Sequence, residues 1–304
     1  MNQNISRRSA LQSLTGGTAA LAAAASLPAP LLAAEAAAPK LKGRIHHSVC
    51  LWCYGSLLEG RGGRPAKMTF EDFCRECASL GLQSVELLGP SQWPTVKQAG
   101  LICAMCTSPD NISYGWNRLD HHDVLLPKFE QMIPQVAQYG FPNIITFSGN
   151  RRGMDDQQGL ENCVTGLKRL VPIAEKHKVT VCLELLNSKV DHKDYMADHS
   201  AWGVEVCKRV GSERLKLLYD IYHMQIMEGD LIRTIRDNYQ FIGHYHTGGV
   251  PDRHEIDDTQ EITYSAVMRA IVATGYQGFV SQEFVPKRPD ALASLRQAIE
   301  FCDV

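Results

Sequence analysis

Four apolar, strand-like runs in the second half of the chain each end in a residue able to bind a metal. Residues 179–183 run into Glu184, 215–219 into Asp220, 241–245 into His246 and 278–282 into Glu283, and a helical pattern follows each. Strands that alternate with helices build a parallel sheet. If that sheet closes into a barrel, the carboxyl ends of its strands share one face, and the four residues meet there.

The whole chain beyond Lys40 repeats this unit. Strand-like runs at 45–52, 84–88, 101–106, 144–147, 179–186, 215–219, 241–246 and 278–284 are separated by helical patterns. Leu160, Cys163, Leu167, Leu170, Val171 and Ala174 keep the i, i+3, i+4, i+7 spacing of one buried helix face, as do Leu125, Phe129, Met132, Ile133 and Val136. Leu292, Leu295, Ile299 and Cys302 predict a closing amphipathic helix. Thr69 and Asp155 read as helix starts, and Gly81 and Gly140 as stops. After Gly89-Pro90 there is room for only a short helix. Eight units over residues 43–304 predict an α/β fold, a single (β/α)8 TIM barrel, a fold that takes about 250 residues. The open doubly wound sheet of dinucleotide-binding proteins would need G-x-G-x-x-G after its first strand. The segment 60–63 is rich in Gly and Arg but lacks that pattern. Two long loops, 54–68 and 108–123, follow strands and are expected on the catalytic face, with Trp93 and Trp116 among the pocket walls.

The first 36 residues read differently. Ser6-Arg7-Arg8-Ser9-Ala10-Leu11 places a twin arginine before an Ala-rich stretch, and Ala34-Glu35-Ala36 offers a cleavage site. This resembles the bacterial signal that exports proteins already folded, so a periplasmic protein is expected. Gly16-Gly17 and Pro28 interrupt the stretch, which argues against a stable membrane anchor. With a net charge of −2 and no Lys/Arg stripe, nucleic acid is not an expected partner. Ten cysteines include the C-x-x-C pairs 50/53, 74/77 and 103/106. Residues three apart on a strand face opposite sides, so buried thiols are the expectation for most.

Three carboxylates and one imidazole make a hard, mostly oxygen donor set. It favours one divalent ion, Mg²⁺ or Mn²⁺, with the imidazole admitting Co²⁺ or Zn²⁺. Taken singly, an acid at a strand end serves as often as a helix cap or surface charge. Four in equivalent places make coincidence a poor account. His223 lies one step beyond Asp220, and its side chain reads as a substrate donor or as part of a helix entry. His244 alternates with His246 and so points to the same side, one layer deeper. Arg253, in the loop 250–255, offers a bidentate fork for a carboxylate or sugar hydroxyls.

At these residues the chain resembles the hydroxypyruvate isomerase family, within the xylose-isomerase-like TIM barrels. The likeness lies in 218–231 (LYDIYHMQIMEGDL), in Ile242-Gly243-His244, in Val250-Pro251-Asp252-Arg253-His254-Glu255, and in Glu184 followed by Asn187. The resemblance implies that Glu184, Asp220, His246 and Glu283 bind the metal and that Glu184 and Glu283 are the catalytic acid–base pair. His223, Arg253, His244 and Glu255 are the candidate substrate contacts, although a hydrogen-bonded interior role is the more ordinary reading of His244. Family members tend to carry Gln at the third ligand position. His246 instead resembles the sugar epimerases. The implied activity is isomerisation of a small hydroxy-carbonyl compound, a sugar or keto-acid, by proton transfer through a metal-stabilised enediolate. A ketose 3-epimerase, a keto-sugar or inosose dehydratase, and a sugar-binding protein without activity are the alternatives. The sequence leaves open whether identical chains assemble.

Overall fold

The structure is a computed structural model that describes residues 40–59 and 65–304. The signal-like segment 1–36 lies outside them. Seven parallel strands form one sheet: β1 (His46–Cys50), β2 (Ser84–Glu86), β3 (Asn143–Thr146), β4 (Thr180–Glu184), β5 (Leu215–Asp220), β6 (Ile242–Thr247) and β7 (Phe279–Gln282). Their order is β2-β1-β7-β6-β5-β4-β3, so β1 and β7 are neighbours and the sheet curls back on itself.

The eighth expected strand fills the remaining gap in an irregular form. Residues 102–106 bridge β2 through Ser84/Ile102, the segment just beyond it through Leu88/Cys106, and β3 through Cys106/Ile144, all parallel. The middle of the segment does not join a regular ladder because side chains take its backbone groups. Ser84 Oγ accepts from Ala104 N at 2.9 Å, and Asn143 Nδ2 donates to Ala104 O at 2.8 Å. The barrel is therefore closed as predicted, with seven regular strands and one irregular one.

The helices α1 (Gly55–Leu58), α2 (Phe70–Ser79), α3 (Trp93–Gln98), α4 (Leu119–Gln138), α5 (Asp156–His177), α6 (Ser200–Val210), α7 (Ile221–Met227), α8 (Leu231–Asn238), α9 (Tyr264–Ala273) and α10 (Ala291–Cys302) alternate with the strands. Thr69 and Asp72 form a reciprocal capping box at the start of α2, and the Asp155 side chain caps α5. Gly81 and Gly140 adopt positive φ just past helix ends, where a side chain would be strained. The short helix after Gly89-Pro90 is α3, with six residues.

Two apolar layers result. Val49, Val85, Leu183, Leu217 and Val280 point outward into the large core beneath the helices. Met105, Ile145, Cys182 and Leu218 form a small separate cluster inside the barrel. The rest of the interior, on the β1, β2, β6 and β7 side, is polar: Ser48, Ser84, Glu86, His244, His246 and Ser281 are all fully buried. A barrel interior is ordinarily filled with branched apolar side chains. This polar half must therefore satisfy its own hydrogen bonds. All ten cysteines are free and buried. Among the described residues no helix is long and apolar enough to cross a membrane.

Candidate metal centre and substrate cavity

Glu184 ends β4, Asp220 ends β5, His246 is the last but one residue of β6, and Glu283 follows β7 directly. Pairing of Asp220 with His246 in neighbouring strands puts them side by side. One ligand atom from each of the four lies within 4.8 Å of every other. Asp220 and His246 have no exposed surface, while Glu184 and Glu283 retain 5% and 4% and border a cavity of about 660 Å³. Two of the four groups thus form the floor, and two reach the space where a substrate would lie.

Local structure fixes each group. Asp220 is the N-cap of α7: its Oδ1 accepts from His223 N at 3.1 Å, which leaves Oδ2 turned to the centre. Trp52 Nε1 donates to Glu283 Oε1 at 2.7 Å. Arg253 Nη2 donates to Asp220 Oδ2 at 2.7 Å and to Glu283 Oε2 at 2.5 Å, and its Nε donates to the Glu283 carbonyl at 3.0 Å. The guanidinium lies over the rings of Tyr222 and Trp52, 5.0 and 5.6 Å from their centroids.

His246 Nδ1 lies 2.5 Å from Glu283 Oε2 and 3.4 Å from Glu184 Oε1, yet it makes no well-directed hydrogen bond with either. Buried polar atoms are almost always paired. A buried imidazole nitrogen without a partner, facing clustered carboxylates, is what a cation would satisfy, and three carboxylates with one imidazole suit a hard divalent ion. The residues therefore fit a metal.

Electrostatics push the two glutamates apart. Burial raises the Glu184 carboxyl, and the nearby Glu283 charge adds to the rise. Burial would raise Glu283 as well, but Arg253, His246 and the Trp52 indole outweigh it and hold the carboxyl well below the usual range. Burial lifts Asp220 to about 7 against the pull of Arg253. Two carboxylates driven in opposite directions are a familiar arrangement of acid and base.

Of the residues expected to contact substrate, His223 and Arg253 line the cavity. His223 lies between Asn187 Nδ2 and Arg253 Nη1, each at 2.6 Å. His244 and Glu255 are not on the cavity wall. His244 is buried below His246, with Nε2 at 3.0 Å from Glu86 Oε1. Glu255 accepts from Lys287 N, Arg288 N and Ser294 Oγ at 2.9 Å each, tying the loop after β7 to α10. The loop 108–113 does form a wall, beside Phe147, whose backbone N donates to Asp110 Oδ2 at 3.2 Å. Trp93 and Trp116 do not: both are fully buried, with indole nitrogens bonded to Leu88 O and Thr146 Oγ1. Trp52 and Phe147 are aromatic residues that do line the cavity. Residues 60–64 of the first long loop lie outside the description.

Glu86, which ends β2, was not anticipated. Its Oε1 lies 2.8 Å from His246 Nε2, and its Oε2 accepts from Ser48 Oγ at 2.8 Å. The available signal was one acid within the run 84–88, since a charge in a strand buried on both faces needs a partner.

A closed α/β barrel with a four-residue acidic and imidazole cluster at the carboxyl ends of its strands defines a TIM barrel with a candidate metal centre. A family profile described as xylose isomerase-like TIM barrel matches residues 74–303, and the chain belongs to that family. A putative hydroxypyruvate isomerase of Danio rerio is 32% identical over 124 residues, 41% of this chain and 45% of the relative. A 2-oxo-tetronate isomerase of Cupriavidus necator is 36% identical over 109 residues, 36% of this chain and 41% of the relative. The chain thus spans less than half the length of these two relatives. The crystal structure of a 3-keto-D-glucoside 4-epimerase from E. coli superposes with a TM-score of 0.68 at 18% identity, covering 85% of this chain and 98% of that one.

Proposed function

We propose that the protein is a metal-dependent isomerase of a small hydroxy-carbonyl compound, of hydroxypyruvate-isomerase type. The observation that carries this reading is that Glu184 and Glu283, alone of the four clustered residues, border the cavity. Glu184, Asp220, His246 and Glu283 would hold one divalent ion, Mg²⁺ or Mn²⁺ by preference, with Co²⁺ or Zn²⁺ admitted by the imidazole. Bound there, the ion would acidify a C–H next to the substrate carbonyl by polarising that carbonyl.

The chain's own residues then move the proton. Glu283, held ionised by Arg253 and Trp52, takes a proton from carbon. Glu184, whose carboxyl is raised by burial, returns one. Arg253 and His223 orient substrate oxygens at the cavity edge. Return of the proton to the neighbouring carbon gives an aldose–ketose type isomerisation, and return to the opposite face of the same carbon gives an epimer.

The cavity favours a second reading, a sugar epimerase. A space of about 660 Å³ exceeds what a three-carbon acid fills and falls in the range of ligands of drug size, ~300–1,000 Å³. His246 agrees with that reading, as does an export signal over residues 1–36, which would deliver the protein to periplasmic sugars. Fusion of residues 1–36 to a folded reporter tests the export: reporter that stays in the cytoplasm contradicts it.

The chemistry is tested by NMR in D₂O on the metal-loaded protein with hydroxypyruvate, 2-oxo-tetronate, ketohexoses and 3-keto-glucosides. The expected result is exchange of one carbon-bound proton without loss of water, abolished in Glu184→Gln and Glu283→Gln. A product lacking water assigns a dehydratase instead. Full turnover in either variant overturns the acid–base pair.

A further inference from the structure

The polar half of the barrel contains a carboxylate that the proton transfer does not use. Glu86 is fully buried, and its Oε1 meets two imidazole nitrogens, His246 Nε2 at 2.8 Å and His244 Nε2 at 3.0 Å. An ionised carboxylate only accepts hydrogen bonds, so both rings must present Nε2–H to it. The other oxygen is fixed by Ser48 Oγ, one strand away. The competing neighbour of His246 Nε2 is the Cys50 thiol at 3.8 Å, a long contact to a weak partner. Glu86 therefore sets which nitrogen of His246 carries hydrogen. The remaining nitrogen, Nδ1, is the one that faces Glu184 and Glu283 and has no hydrogen bond of its own.

We propose that Glu86 is the positioning residue of the metal centre: by accepting from His246 Nε2–H it fixes the ring plane and tautomer that direct Nδ1 at the ion. This rests on the metal reading given above. A ligating imidazole ordinarily donates its second nitrogen to a carboxylate or carbonyl, and loss of that partner costs about 10–100-fold in affinity. The shared oxygen explains why His244 lies one layer below: its Nε2–H holds Glu86 in line with His246. It also separates this role from another one. Glu86, His244 and His246 have ligand atoms within 4.8 Å of each other, so the triad could in principle take an ion itself. The positioning role requires one ion per chain.

The test uses Zn²⁺ as the probe on the full chain. Competition with a chromogenic chelator should give one Zn²⁺ per chain for wild type, and an affinity roughly 10–100-fold weaker for Glu86→Gln. Wild-type protein labelled with ¹⁵N-histidine and loaded with Zn²⁺ should show His246 bound through Nδ1, with a protected Nε2–H. That measurement needs no variant and stands even if Glu86→Gln fails to fold. Binding through Nε2, a second tight Zn²⁺, or unchanged affinity in a folded Glu86→Gln would overturn the role of Glu86 alone. A wild type that binds no Zn²⁺ overturns the metal reading and this inference with it.

Discussion

Trp52 is 51% exposed at the cavity mouth, yet its indole nitrogen holds Glu283 Oε1 at 2.7 Å. One side chain thus forms cavity wall and also fixes the oxygen of the candidate base. Trp52→Phe keeps an aromatic face near Arg253 and removes only the donor. A hydrogen bond to a charged group contributes about 1.5–3 kcal/mol. Turnover should fall roughly 10–100-fold, with the acidic limb of its pH profile moved upward as Glu283 loses a partner of its ionised form. Steady-state kinetics across pH checks this.

Arg253 holds two of the three clustered carboxylates, Asp220 and Glu283, through one nitrogen. Arg253→Met leaves Asp220 and Glu283 buried without it. Removal of one partner of a buried ion pair costs about 3–5 kcal/mol. Metal-free Arg253→Met should therefore unfold well below wild type, and Mn²⁺ should raise its midpoint by more than it raises that of wild type. Thermal denaturation with and without Mn²⁺ gives both values.

Far from the site, His47 on β1 is buried, with Nε2 3.8 Å from Asp303 Oδ1. Burial lowers its pKa from 6.5 to about 4, although Asp303 opposes the shift. Between those values the unfolded chain binds the proton that the folded chain refuses. The stabilising effect of neutral His47 is therefore complete above pH 6.5 and is lost as pH falls towards 4, by about 3 kcal/mol in all. Denaturant unfolding of wild type and His47→Gln should show a stability gap that narrows by about that amount from pH 7 to pH 4.

Much of the candidate site was legible because each of its four residues lies at or beside the end of its own strand. An apolar, strand-like run that stops at Glu184, Asp220, His246 or Glu283 carries its position in the sequence itself, and caps such as Thr69 and Asp155 are local in the same way. Other features depend on contacts between distant segments. Glu86 is one acid in a five-residue run, and its meaning comes from His244 and His246, some 160 residues away. Trp93 and Trp116 sit in loop-like sequence but find Leu88 O and Thr146 Oγ1 and turn inward. Glu255 belongs to a motif-bearing loop, yet backbone amides of the next strand's loop claim it. The irregular segment 102–106 reads as a plain strand because nothing in it announces that Ser84 and Asn143 will take its middle peptide.

The central claim is that four strand ends hold one catalytic cation. The most direct measurement is the count of divalent ions per chain in wild type, Asp220→Ala and His246→Ala after loading with Mn²⁺ and removal of the excess. The account predicts one ion in wild type and almost none in either variant, with all three folded by circular dichroism. No ion in wild type, or a full ion in both variants, would contradict it.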